Sequence, residues 1–120
     1  IAFQIVDDLL DVEGDTKLIG KNNGDDFRER KLTLPFIKAI SSCDTNERAF
    51  WKRTIEKGEQ TSKDFSIALK LMKKYGAIEK TRSDALEWGK IAKESLAAVP
   101  DNNIKLILIN LADYVVGRVK

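Results

Sequence analysis

The chain has 120 residues, of which 42% are hydrophobic and 33% are charged, and its formal net charge is +2. This composition supplies a packed core and argues against intrinsic disorder. Basic and acidic residues are interspersed, with no block of five or more like charges, so nucleic acid is not an expected partner. The apolar runs fall well short of the ~20 residues of a membrane span, so no transmembrane segment is predicted.

Two residue counts restrict the chemistry of the chain. The absence of histidine excludes histidine-based triads, a histidine general base and the usual zinc sites within this sequence. A single cysteine, Cys43, excludes an internal disulfide and is typical of a reducing, cytoplasmic location. Any chemistry in this chain must therefore depend on carboxylates, lysines, arginines and a bound metal ion.

Apolar periodicity, capping residues and helix breakers predict an all-α chain. The first predicted helix covers residues 1–13, and a polar, glycine-containing loop follows over 14–31. Further helices are predicted over residues 32–42, 45–57, 61–76, 77–99 and 102–119, capped in the later cases by Thr45 or Asn46, by Thr61 or Ser62, and by Asp101. Helices joined by short polar turns are expected to pack as a helical bundle.

The first predicted helix carries several polar side chains on one face. Asp7 and Asp11 are four residues apart, Asp8 and Asp11 are three apart, and Gln4 and Asp15 continue the same stripe. The rest of this helix is apolar, which predicts that it is buried and that its carboxylates line an enclosed polar cavity.

Crowded carboxylates need a compensating charge. Two carboxylates ~6 Å apart repel each other by roughly 3 kcal/mol at an effective dielectric constant near 20. Such a group either raises its own pKa values or binds a cation. Ligands that are all oxygen suit a hard ion, and Mg²⁺ fits better than zinc or copper.

Two other interpretations of the same aspartates remain open at this point. The first is an acidic helix edge that is simply solvated. The second is a Ca²⁺ loop, although Gly14 lies too early for an EF-hand and no ladder of ligands follows.

The loop after the aspartates is rich in cations and glycines. Lys21, Arg28, Arg30 and Lys31 fall within residues 20–31, which also contain two glycines. Glycines let backbone N–H groups approach an anion, and lysine serves as a point charge for phosphate. Carboxylates that bind Mg²⁺ beside such cations suit a diphosphate leaving group.

Together these two segments resemble the trans-prenyl diphosphate synthase family. Phe3-Gln4 followed by residues 7–11 (DDLLD) is similar to the family's second aspartate-rich motif. Gly20-Lys21, residues 24–29 (GDDFRE) and residues 31–35 (KLTLP) are similar to the conserved stretch that follows it.

The resemblance extends along the whole chain. Residues 47–54 (ERAFWKRT) look most like the bacterial octaprenyl and decaprenyl diphosphate synthases of ubiquinone side-chain synthesis, and residues 111–118 look like the family's final helix. The resemblance implies the C-terminal portion of the isoprenoid synthase helical fold.

The family resemblance also implies an activity. An allylic diphosphate ionises with the help of Mg²⁺, isopentenyl diphosphate attacks the allylic cation, and loss of a proton leaves a chain longer by one C5 unit. The resemblance assigns Asp7, Asp8 and Asp11 to the metal and the allylic diphosphate. It further implies that Lys21 and Lys31 contact that diphosphate, that Gln4 lines the site and that Asp26 lies just behind it. We expect the three motif aspartates to form one metal-sized cluster near the two lysines.

The chain departs from the family pattern in two ways. Arg30 stands where the family usually has glycine before the lysine, which would alter the loop or add a phosphate contact. No other Asp-Asp-x-x-Asp occurs, so the first aspartate-rich motif and the isopentenyl diphosphate site are expected upstream. Residues 1–120 would then be a C-terminal fragment, with the motif at 7–11, a diphosphate-binding loop at 20–31 and C-terminal helices over 45–120.

Several consequences follow from this interpretation. The fragment alone is expected to be inactive and to associate as a homo-oligomer such as a dimer. Its first helix is expected to lack partners for Phe3, Ile5, Val6, Leu9 and Leu10. Two alternatives remain: a non-catalytic subunit that regulates a complete synthase, and a structural bundle with an incidental acidic face.

Overall fold

A computed structural model describes residues 1–13 and 23–119 of the chain, and within these ranges it contains helices and no strand. The all-α prediction is confirmed. The helices are α1 (Ala2–Glu13), α2 (Asp25–Arg28), α3 (Leu34–Ser42), α4 (Thr45–Trp51, continued by a π-helical turn over Lys52–Glu56), α5 (Asp64–Lys74), α6 (Ala77–Ser95) and α7 (Asn103–Gly117).

The predicted caps were placed one residue or more from the observed ones. Asp44, rather than Thr45 or Asn46, caps α4 through a reciprocal capping box with Glu47. Asn102, rather than Asp101, caps α7 by accepting a hydrogen bond from the Lys105 N–H.

The start of α5 also differs from the prediction. Neither Thr61 nor Ser62 caps this helix with its side chain. Instead, the carboxylate of Asp64, in the first turn, accepts a hydrogen bond from the Thr61 N–H at 2.7 Å. Lys63 occupies the N-cap position, so Thr61 and Ser62 lie before the point from which a side chain could cap this helix.

Helix α6 is the centre of the fold and packs against α1, α3, α5 and α7. Gly89 of α6 lies close to α7, because an added Cβ there would be 2.6 Å from Val116 Cγ1. The largest side chains of the core come from several helices and include Val6, Leu9, Phe27, Phe36 and Met72. The core therefore holds α1 and α2 against the centre of the bundle.

The expectation that α1 lacks partners is wrong for most of its apolar residues. Ile5, Val6, Leu9 and Leu10 are buried by the chain itself, whereas Phe3 is exposed. Helix α1 lies against both α6 and α7, which cover these side chains. The large exposed apolar surface is instead on α7.

In the part of the chain that the structure describes, none of the helices combines the length and the apolar character that a membrane crossing requires.

Candidate functional site

Helix α1 presents its aspartates from a rigid, buried position. Asp11 is fully buried, Asp8 is buried and Asp7 is partly buried. The opposite side of the helix carries Val6 and Leu9, which are completely enclosed in the core. The local pattern of an apolar helix with one acidic stripe therefore places the carboxylates where solvent has limited access.

The C-terminal end of α1 is joined to the next described segment through Asp11. Its backbone carbonyl accepts a hydrogen bond from the Gly24 N–H at 2.9 Å, and its carboxylate Oδ2 accepts one from the Asp26 N–H at 3.2 Å. Gly24 has φ 90°, and an added Cβ would lie 2.9 Å from the Phe65 ring, so this position requires glycine. The predicted site residues Asp11 and Asp26 are thus direct neighbours, although 15 residues separate them in the sequence.

Lys31 completes this group from the other side of α2. Its backbone N–H donates to the Asp26 carbonyl at 2.9 Å, and its Nζ lies 4.0 Å from Asp26 Oδ1 and 2.8 Å from Glu29 Oε2. The hydrogen bond and charge of Glu29 raise the pKa of Lys31, with smaller contributions from the charges of Asp26 and Asp11. The side chain is exposed, so it stays protonated and can meet an anion from solvent.

Of the remaining predicted site residues, the structure describes Gln4 but not Lys21. Gln4 is one turn before Asp8, and its Nε2 donates to Asp8 Oδ1 at 2.8 Å, which fixes the direction of that carboxylate. Lys21 lies outside the described residues, so its contact with a diphosphate stays a prediction.

The grouping of Asp7, Asp8 and Asp11 around one metal ion stays a prediction. Within residues 1–13 and 23–119, no group of three or more histidine, cysteine or carboxylate side chains is placed to hold a metal ion. The donor set nevertheless fits Mg²⁺, which is bound by one or two protein carboxylates and takes its other ligands from water and substrate phosphates. Oxygen donors on one helix face satisfy that requirement without a closed protein cage.

Arg30, which departs from the family's usual glycine, has an unusual backbone conformation. Among the described residues it is the only non-glycine with positive φ, at 63°. Its guanidinium donates from Nε to the Ile55 carbonyl at 2.8 Å and from Nη2 to the Glu56 carbonyl. The side chain is therefore directed to the end of the π-helical turn.

Other supports of the site were not found from the sequence. Gln60 Nε2 donates to the Phe27 carbonyl at 2.9 Å and so attaches α2 to the segment before α5. Arg82 of α6 pairs with Glu13 at the end of α1, and its Nε donates to the Val119 carbonyl at 2.7 Å. No local signal marks these pairs, because the partners are distant in sequence and their contact depends on packing.

With this geometry in place, comparison with known proteins identifies the family. Residues 1–72 match the polyprenyl synthetase family. The chain belongs to this family. The family resemblance inferred from the aspartate helix and the basic loop is confirmed.

Solved structures and curated proteins agree with this assignment. The chain superposes on a decaprenyl diphosphate synthase from Rhodobacter capsulatus with a TM-score of 0.91 and 56% identity, covering 99% of this chain and 37% of that one. It is 36% identical to an octaprenyl diphosphate synthase from Escherichia coli, over 98% of this chain and 36% of that protein. It is 33% identical to a short chain isoprenyl diphosphate synthase from Methanothermobacter thermautotrophicus, again over 98% and 36%.

Two facts limit what these similarities say. The chain spans about a third of the length of the relatives it matches. The relatives also differ in the product length that their names state, from short chain to decaprenyl. The superposition shows the isoprenoid synthase helical fold. The activity and the product length of the whole enzyme are proposals.

Proposed function

We propose that this chain supplies the C-terminal half-site of a trans-polyprenyl diphosphate synthase, which extends an allylic diphosphate with isopentenyl diphosphate. The observation that carries this proposal is the contact of Asp11 with Asp26, next to Lys31. It joins the aspartate helix to the basic segment and brings the exposed Lys31 ammonium near the buried carboxylates of Asp26 and Asp11.

The described residues have distinct roles in this proposal. Asp7, Asp8 and Asp11 would hold Mg²⁺ together with the diphosphate, and Gln4 orients the Asp8 carboxylate. Lys31 would bind the diphosphate oxygens, and Lys21 is assigned the same role from the family resemblance. Asp26 attracts the Lys31 ammonium and, through its backbone N–H, holds the carboxylate of Asp11.

The reaction requires separation of charge at the allylic carbon. As the C–O bond breaks, its electron pair leaves with the diphosphate, and Lys31 stabilises that charge by hydrogen bonding. Bound Mg²⁺ supplies further stabilisation of the leaving group. The double bond of isopentenyl diphosphate then attacks the allylic cation, and loss of a proton restores a neutral double bond.

The finer assignment follows the resemblance of residues 47–54. We propose a long-chain product of the octaprenyl or decaprenyl type, made in the cytoplasm for a quinone side chain. Support comes from the high identity to the Rhodobacter capsulatus decaprenyl diphosphate synthase.

The test is a chimera in which residues 1–120 replace the matching third of the Rhodobacter capsulatus decaprenyl diphosphate synthase. The expected result is incorporation of radiolabelled isopentenyl diphosphate by the chimera and none by the 120-residue chain alone. A chimera that folds, as judged by circular dichroism, but does not incorporate label would refute the proposed function.

The same assay separates the alternative of a regulatory subunit. In that case, the chain added in trans would change the rate of an intact synthase, while the chimera would stay inactive. The unmodified Rhodobacter capsulatus enzyme, with and without added chain, is the control for both arms.

A further inference from the structure

The backbone of Arg30 adopts a conformation that favours glycine. Its φ of 63° lies in the left-handed region, where a Cβ is disfavoured. A side chain retained at such a position needs contacts that compensate for the backbone strain.

The guanidinium of Arg30 supplies that compensation. It donates to the carbonyls of Ile55 and Glu56, at the C-terminal end of the π-helical turn, where a positive charge is favourable. It also lies over Gly58, whose φ is 74° and where an added Cβ would be 3.0 Å from Arg30 Nη1. Gly58 therefore leaves space for the arginine as well as ending the helix.

These contacts fix one end of the segment that carries two predicted site residues. The Arg30 N–H donates to the Phe27 carbonyl at 3.0 Å, and the Lys31 N–H donates to the Asp26 carbonyl at 2.9 Å. The other end of the segment is held where Asp26 meets Asp11. The loop is thus attached to α1 at one point and to the π-helical turn at the other.

We propose that Arg30 is a positioning residue for the diphosphate site. It binds the end of the π-helical turn rather than phosphate, and in doing so it holds Asp26 and Lys31 in place against Asp11. This inference rests on the proposed function, because it gives Lys31 a diphosphate to bind.

The first measurement is amide hydrogen exchange in the 120-residue chain, which reports local opening of residues 24–33. Arg30→Gly removes the guanidinium contacts to the Ile55 and Glu56 carbonyls. Glycine is suited to positive φ, so the variant should fold. We expect exchange at the Asp26 and Lys31 amides to accelerate by about 10-fold or more. Arg48→Ala, which removes an exposed arginine of α4 outside this loop, should leave those rates unchanged.

The second measurement is steady-state kinetics of the complete synthase that contains this segment. Arg30→Gly should raise the KM for the allylic diphosphate by about 10-fold and leave kcat within about 2-fold, because an indirect loss of substrate positioning affects binding first. Arg30→Lys keeps the charge without the two-pronged contact and should behave like Arg30→Gly. Arg48→Ala should match the wild type.

The outcomes separate this inference from the proposed function. A wild-type synthase without prenyl transfer would overturn the proposed function. The exchange data would still test whether Arg30 holds residues 24–33 in place. An active wild type with an unchanged KM in Arg30→Gly would overturn the positioning role. A raised KM with unchanged exchange would also overturn it, because Arg30 would then act by direct contact.

Discussion

Helices α1 and α7 are both strongly apolar, yet the chain buries the first and leaves the second open. Ile5, Val6 and Leu9 of α1 are enclosed, whereas α7 exposes most of its large side chains. The exposed apolar residues of α7 are Ile104, Leu106, Ile107, Leu108, Leu111 and Tyr114. Apolar composition shows that a helix favours burial, but it does not show which neighbour provides it.

The two regions also treat their charges differently. The carboxylate of Asp11 is completely buried and accepts a backbone hydrogen bond from Asp26. On α7, Asp113 forms an exposed ion pair with Lys93 at 2.7 Å. An enclosed charge needs a well-defined partner, whereas an exposed ion pair is screened by water and contributes little to stability.

The largest expected effect tests whether the chemistry lies in the α1 region. In the complete synthase, Asp7→Ala should lower kcat on the order of 10³-fold, because the proposed metal ligand would be lost at the step where charge develops. The melting temperature should change little, because Asp7 is only partly buried and its removal relieves repulsion between carboxylates. Rate at saturating Mg²⁺ and thermal melting are measured on the same preparation.

Asp7 is a better position for this test than Asp11. Asp11 also holds the Asp26 N–H, so replacing it would combine a structural loss with a catalytic one. Asp25→Ala, which removes a carboxylate paired with Arg28 at the surface, is the matched control and should keep its turnover. Near-normal turnover of Asp7→Ala would refute the assignment of Asp7 to the metal.

The next effect concerns an ion pair between the π-helical turn and the start of α5. Arg53 donates two hydrogen bonds to the buried Asp64, at 2.9 and 3.0 Å, and lowers the pKa of that carboxyl to about 2. The folded-state pKa is below the unfolded value, so the stabilisation is present above about pH 4 and is lost as pH falls towards 2. Asp64→Asn should therefore lower the free energy of unfolding by about 1.5–3 kcal/mol at neutral pH.

Thermal melting of the wild type and Asp64→Asn between pH 7 and pH 2 checks this prediction. The difference between their melting temperatures should shrink as the pH falls. Asp113→Asn, which breaks the exposed pair on α7, is the control and should cost less than about 1 kcal/mol at any pH. A difference that stays constant down to pH 2 would contradict the role of Asp64 ionisation.

The smallest effect on stability is expected on α7, where the effect on association should be clear. Ile107 and Leu111 lie on one exposed face of the helix, and exposed apolar patches drive association. We expect the purified chain to form a dimer or higher oligomer. Ile107→Lys combined with Leu111→Lys should make it monomeric with a change in unfolding free energy within about 0.5 kcal/mol.

Light scattering at high micromolar concentration measures the mass of both forms. Thermal melting of both forms is recorded alongside, so that a loss of association is distinguished from a loss of folding. A wild-type chain that is already monomeric would refute the association.

The sequence by itself determined the helical class, the acidic face of α1 and the family. These properties depend on local spacing, because residues three and four apart share a helix face whatever surrounds them. The two motifs at residues 7–11 and 24–35 are specific enough to indicate the family without knowledge of any contact.

Only the tertiary structure decided which neighbours complete the site. Arg30 reaches carbonyls 25 and 26 residues away, Gln60 reaches Phe27 over 33 residues, and Arg82 reaches Glu13 over 69. The same packing buried α1 and left α7 open. Such contacts depend on how the helices pack around α6. Local sequence spacing cannot predict them, because the partners lie on different helices.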